Sequence, residues 1–346
     1  MVCRSGTPTR TTRLLALRTP TKSEEVPGIP VDARCYNFAN LHTDPHLETR
    51  DIIRDFLKRS KYEPHVTPPN AGLRAAVTEC IVAWKSSDSV EAIEKLVDSA
   101  CAWAETGYGH TSPQHLHYIA LYTAVILYID DVGGEHLDAI RQFAARFIWG
   151  EKQLSPALDT LVDLMRGAHQ LWTDVGADAI IAGTLDAVTA MYIEYTTQDM
   201  EIKPQATLYP YYLRTRSGIC PPYIHFIFMS SWRATADTYL QMMPYMERWV
   251  VGANDILSFY KEQLAGETKN YMHMRACAEQ TTPVQVLRTL CEEVLECDRK
   301  VLALSAGNNE LADLWKKYVQ GTLEFHANTR RYRLFELGFS WKEKEL

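Results

Sequence analysis

The chain has 346 residues, 46% hydrophobic and 23% charged, enough to bury a sizeable core in one large domain or two ordinary ones. Its formal net charge of -7 excludes a general basic surface for nucleic acid, so any anionic ligand needs locally concentrated cations. Glycine is 17 of 346, below the usual share of about 7%, which leans towards helix.

Residues 1–22 carry Arg4, Arg10, Arg13, Arg18 and Lys22 and no acid. Arg-rich, acid-poor N-termini include transit peptides, but a disordered tail over 1–30 is the reading adopted, with one domain over 31–346 and a cytoplasmic location. Helical periodicity then dominates: His46–Arg59, Leu73–Trp84 and Ser89–Tyr108 place apolar residues on one side. Ser112-Pro113 suits the cap and first turn of a helix from about Gln114 to Asp131, which Gly133-Gly134 breaks. Leu137–Phe147, Pro156–Trp172 and Ala177–Thr197 follow. Pro204 to Pro222 reads as irregular, Pro222–Trp232 as a short apolar helix, and Ala234–Leu264 as a long helix broken or kinked at Pro244. Pro283–Leu304 and Asn309–His326 complete an all-α domain of roughly ten to twelve helices, with no convincing strand or repeat. No apolar run reaches the roughly 18 residues of a spanning helix, so stable membrane insertion is not expected. The eight cysteines form no Cys-x-x-Cys and read as reduced, mostly buried thiols.

Four segments carry chemistry. Asp130-Asp131-Val132-Gly133-Gly134-Glu135 ends an apolar helix, so clustered carboxylates sit at an apolar mouth where a cation would relieve their repulsion. In Asn254-Asp255-Ile256-Leu257-Ser258-Phe259-Tyr260-Lys261-Glu262, the residues Asn254, Ser258 and Glu262 recur every four positions. An α-helix advances about 100° per residue, so their oxygens share one face and suit a hard cation such as Mg²⁺. Arg330-Arg331-Tyr332-Arg333 reads as a basic helix end or as a diphosphate clamp. Leu213-Arg214-Thr215-Arg216-Ser217-Gly218 is a basic stretch in the irregular segment.

In this order the four segments resemble class I terpene cyclases, specifically the fungal trichodiene synthase family, over roughly residues 35–340. The 254–262 run fits the family pattern (Asn/Asp)-Asp-x-x-(Ser/Thr)-x-x-x-Glu, and Arg-Arg-Tyr-Arg-Leu resembles the family's Arg-Tyr segment. The resemblance implies an all-α single-domain class I terpenoid synthase bundle around an apolar active-site cavity. It implies a Mg²⁺-dependent lyase of secondary metabolism that ionises farnesyl diphosphate and cyclises the carbocation to a sesquiterpene. Three Mg²⁺ ions are expected. Asp130, Asn254, Ser258 and Glu262 would hold them, with Asp131 supporting through salt bridges. Lys261, Arg331 and Tyr332 would bind diphosphate, while Arg214 senses it, Ser217 links, and Gly218 offers its carbonyl at a helix break. Arg216 competes with Arg214 for the sensor role. Tyr122 and Phe226 are expected at the substrate, with Ile126, Phe228, Met229 and Trp249 as further wall positions. A homodimer is compatible with the resemblance. Glu135 is not assigned as a ligand. Thr329 replaces an acid found two residues before the family's Arg-Tyr pair, which puts identical product chemistry in doubt. A chain-elongating prenyl diphosphate synthase is the alternative, disfavoured because such enzymes carry two Asp-rich motifs; a silent helical interaction protein is a second.

Overall fold

Many helix starts are written into the chain as side-chain caps. Ser89, Ser112, Thr173, Asn270, Thr282 and Asn308 each accept a hydrogen bond from the backbone N–H three residues on, satisfying an amide that has no partner within the helix. Proline occupies the first turn of seven helices, where its missing N–H costs nothing. Gly150 and Gly266, both left-handed, each close a helix.

The structure, a computed structural model, describes residues 45–84, 89–232 and 235–339, all within a unit that begins at Phe38. The expected tail over 1–30 and Cys3 and Cys35 lie outside the described residues. Thirteen α-helices and no strand are present among those described. They are α1 Pro45–Arg59, α2 Ala71–Trp84, α3 Val90–Gly107, α4 Pro113–Val132, α5 Leu137–Trp149, α6 Pro156–Gly167 and α7 Asp174–Thr196. There follow α8 Tyr209–Ser217, α9 Cys220–His225, α10 Met243–Ala265, α11 Tyr271–Glu279, α12 Pro283–Leu304 and α13 Asn309–Asn328.

The segment expected to be irregular is corrected: it holds α8 and α9. Pro210 lies in the first turn of α8, and Pro221 and Pro222 lie at the start of α9, where proline permits a helix instead of breaking one. The apolar helix expected over 222–232 is the shorter α9, which gives way to turns after His225. The expected kink at Pro244 is instead the start of α10, and 235–239 is not helical. The helix from Pro156 ends at Gly167 and tightens to a 3-10 turn over Ala168–Gln170. Helix α11 was not anticipated.

Helix α10 lies along α12, α3 lies between α4 and α13, and α7 packs on α5, α8 and α9. Two contacts bring backbones unusually close. A Cβ on Gly252 would come within 2.4 Å of the Val294 side chain, and one on Gly321 within 2.0 Å of the Thr106 carbonyl oxygen. Among the described residues α7 is the helix long and apolar enough to cross a bilayer, yet Ala177, Ile180, Ala187 and Val188 are buried against its neighbours. The six cysteines described form no disulfide with one another.

Candidate active site

The acidic end of α4 is shaped by a tyrosine from α7. The Tyr195 hydroxyl donates to the last-turn carbonyls of Asp130, at 2.6 Å, and Ile129, at 3.0 Å. Its ring lies where a Cβ on Gly133 would be, 2.6 Å away, so only glycine lets the chain turn here. The Asp130 side chain is 57% exposed, yet protein surrounds the mouth it faces. Desolvation by that surrounding protein pushes its carboxyl above the usual range; Arg331 pulls it back and Asp131 pushes it further up. Glu135 lies beyond the turn in a 3-10 helix and is exposed.

Helix α10 presents Asn254, Ser258 and Glu262 along one face. Ser258 is 2% exposed and its Oγ has no hydrogen-bond partner. A buried hydroxyl without a partner carries a desolvation cost, and a cation is the kind of group that would remove it. Glu262 is aimed by Asn270, whose Nδ2 donates to Oε2 at 2.8 Å, and Lys261 Nζ lies 3.9 Å from the other oxygen. Amide, hydroxyl and carboxylate oxygens make a hard donor set, so these residues fit a divalent cation such as Mg²⁺. No cluster of three His, Cys, Asp or Glu side chains at metal-binding spacing occurs among the described residues, so such a site rests on the amide and hydroxyl.

Helices α8 and α9 are separated by a break. Gly218 caps α8, and Ile219 takes a left-handed conformation at φ 56° before α9 begins. A Cβ on Gly218 would meet the Arg214 carbonyl and Val251 at 2.8 Å. Arg214 reaches from α8 to α10: Nε donates to Asp255 Oδ1 at 2.7 Å and Nη2 to Asn254 Oδ1 at 2.9 Å. Burial makes Asp255 hard to ionise, pushing it up to about 7, while Arg214 works to keep it charged; Glu262 and Glu194 repel it. Arg216 turns away to Asp186 and covers the Tyr212 ring. Of the two arginines, Arg214 is the one at the site. Ser217 is buried beside Glu194, whose carboxyl is itself pushed up by burial and repelled by Asp130.

After α13 a 3-10 turn over Arg330–Tyr332 brings the Arg-Tyr pair to the same mouth. Arg331 Nη2 lies 3.3 Å from Asp131 and 3.5 Å from Asp130. The Tyr332 hydroxyl is 3.5 Å from Asn254 Nδ2, and burial pushes its pKa up to about 12. His326 of α13 completes the wall. Its Nε2 lies 3.1 Å from Asn254 Nδ2, and burial holds the imidazole down to about 4, hence neutral.

Asp130, Asp131, Glu194, Asp255 and Glu262 thus face Arg214, Lys261 and Arg331 in mutual electrostatic contact. An excess of acids over bases at one mouth favours divalent cations. Beneath it lies an aromatic floor. Trp103 meets Tyr223 at 5.5 Å and Phe325 at 5.0 Å, and Tyr122 meets Phe226 at 5.1 Å, all edge to face. Tyr122 and Phe226 are both 0% exposed, and Tyr122 Oη is bonded to Thr184. They stand within this floor and not on an open surface. Trp249 packs on Trp315 and Tyr318 as core. A separate groove of about 850 Å³ between α1 and α12 contains none of these residues.

Sequence reasoning missed Glu194, Tyr195, Asn270 and His326, and passed over Asp255. The one readable signal was Glu194 within the apolar run Met191–Tyr195; the others are identified only by what they touch.

An all-α bundle with an acid-and-amide mouth over an aromatic floor defines a class I terpenoid synthase. Solved structures agree on the fold: the linalool/nerolidol synthase of Streptomyces clavuligerus superposes with a TM-score of 0.63 at 15% identity, covering 76% of this chain and 98% of that one. A family model described as trichodiene synthase (TRI5) matches residues 100–345. The chain is also 28% identical to alpha-cuprenene synthase of Coprinopsis cinerea, over 86% of this chain and 92% of that protein. It is 30% identical to a terpene synthase of Cochliobolus sativus, over 84% and 92%. The chain belongs to the trichodiene synthase family, and it is a terpene cyclase of the lyase type.

Proposed function

We propose that the protein is a sesquiterpene cyclase that ionises farnesyl diphosphate with Mg²⁺ and closes the resulting carbocation into a ring. The observation that carries this reading is the meeting at one mouth of Asp130, the Asn254/Ser258/Glu262 face and three cations, with Ser258 Oγ buried and unbonded. Asp130, Asn254, Ser258 and Glu262 would hold the metal ions, which when bound supply positive charge to the diphosphate leaving group. Arg214, Lys261, Arg331 and Tyr332 would bind the diphosphate oxygens by charge-assisted hydrogen bonds. The allylic C–O bond breaks and its electron pair leaves with diphosphate. The aromatic floor excludes water and offers ring faces to the cation. Loss of a proton, or capture of one water, ends the sequence as a hydrocarbon or an alcohol.

Incubation of the protein with farnesyl diphosphate and Mg²⁺, with products read by gas chromatography–mass spectrometry, tests this. A cyclic C15 product and inorganic diphosphate are expected, with geranyl and geranylgeranyl diphosphates turned over less well. Asp130→Ala and Asn254→Ala should each abolish turnover while leaving the melting profile in place. Near-normal activity in both would sink the metal assignment. A longer diphosphate formed on addition of isopentenyl diphosphate would favour chain elongation instead.

A further inference from the structure

The amide of Asn254 has two faces, and only one offers an oxygen. Three contacts decide which. His326 Nδ1 lies 2.7 Å from the Thr322 carbonyl, and a carbonyl only accepts, so Nδ1 carries the proton. In a neutral imidazole the other nitrogen is then an acceptor. Nε2, 3.1 Å from Asn254 Nδ2, takes an amide N–H. Across the amide, Arg214 Nη2 is 2.9 Å from Asn254 Oδ1, and a guanidinium only donates. The imidazole itself is wedged. It is 1% exposed and held by the rings of Tyr332 at 4.3 Å, Phe325 at 5.2 Å and Trp103 at 6.3 Å.

We infer that His326, fixed as its Nδ1–H tautomer by Thr322, is the positioning residue that keeps the Asn254 side-chain oxygen turned towards the cation site. The guides on the amide are not equivalent: Tyr332 Oη is the longest contact, 3.5 Å from Nδ2, and is itself assigned to the diphosphate. Arg214 is also one of the cations that meets the diphosphate, and a guanidinium engaged there no longer orients Asn254. His326 is buried behind Asn254 and is assigned no part in holding metal or diphosphate, so its hold persists through that exchange. Outer partners of this kind typically change metal affinity about 10–100-fold when removed. This inference rests on the reading of Asn254 as a metal ligand.

The test uses His326→Phe, which keeps a ring but removes the acceptor, and His326→Gln, whose Oε1 restores one. Binding of Mn²⁺ with inorganic diphosphate is followed by electron paramagnetic resonance, alongside the Mg²⁺ dependence of turnover. His326→Phe should bind Mn²⁺ about tenfold more weakly and need correspondingly more Mg²⁺, with the KM for farnesyl diphosphate at saturating Mg²⁺ little moved. His326→Gln should recover most of the loss. Wild-type Mn²⁺ affinity in His326→Phe, together with lost affinity in Asn254→Ala, overturns the role of His326 alone. Wild-type affinity in Asn254→Ala as well overturns the metal reading beneath it. Should His326→Phe fail to fold, ¹⁵N spectra of labelled wild-type protein decide: an Nδ1–H tautomer supports the inference, and an Nε2–H tautomer overturns it.

Discussion

Ser258 Oγ and Asp255 Oδ2 are buried oxygens that nothing in the protein bonds. Such atoms ordinarily cost stability, since water is lost and no partner replaces it. Ser258→Ala therefore removes a liability from the fold and a donor from the site. Its melting temperature should match or exceed that of the parent, while kcat/KM falls about 10–100-fold, the size expected when a metal contact is weakened. Parallel thermal melts and steady-state kinetics separate the two effects; a variant that loses stability and keeps activity would contradict the assignment. The row Asn254, Ser258, Glu262 was legible in the sequence because a four-residue interval encodes a helix face. Tyr195 and His326 were not, because each acts through a partner 65 or more positions away in the chain, Asp130 for the first and Asn254 for the second, and spacing carries no record of such pairs.

At the level of elements, helix starts were readable wherever a capping side chain and a proline coincide, as at Ser112-Pro113 and Thr282-Pro283. They failed where proline was read as irregular chain or a break: Pro210, Pro221 and Pro244 all lie in first turns. How closely two helices approach was not readable at all. Gly252 and Gly321 both permit close crossings, but against different neighbours. Gly321 faces the Thr106 carbonyl, which cannot turn aside, whereas Gly252 faces a valine methyl. Gly321→Ala should cost about 3 kcal/mol and Gly252→Ala less, with Val294→Ala partly rescuing the second but not the first. Urea unfolding of the three single variants and the two double variants measures this.

For the whole molecule, buried imidazoles set the acid limit. His225 lies 3.0 Å from the Tyr239 hydroxyl, and burial lowers its pKa to about 4. The folded protein therefore refuses a proton that the unfolded chain accepts below about 6.5. Stability from this group is complete above that pH and is lost as pH falls towards 4, by about 2 kcal/mol at pH 5. His110, His115 and His273 are lowered in the same sense, again by burial. Unfolding followed at pH 7 and pH 5 should show the loss, and His225→Gln should reduce it. At neutral pH the crowded mouth acts the other way: Mg²⁺ with inorganic diphosphate should raise the melting temperature, since ligands that bind only the folded state stabilise it.

The left-handed Ile219 gives the break between α8 and α9 a mechanical character. A β-branched residue resists that conformation by about 1–2 kcal/mol, and here its side chain is 2% exposed. The bend is thus latched by burial of one side chain, without a backbone ladder crossing it. Two rigid rods meet at a single pivot, with Arg214 on one arm and Tyr223 and Phe226 at the end of the other. Ile219→Ala loosens the latch, and faster hydrogen exchange confined to the amides of residues 218–220 is the signature expected.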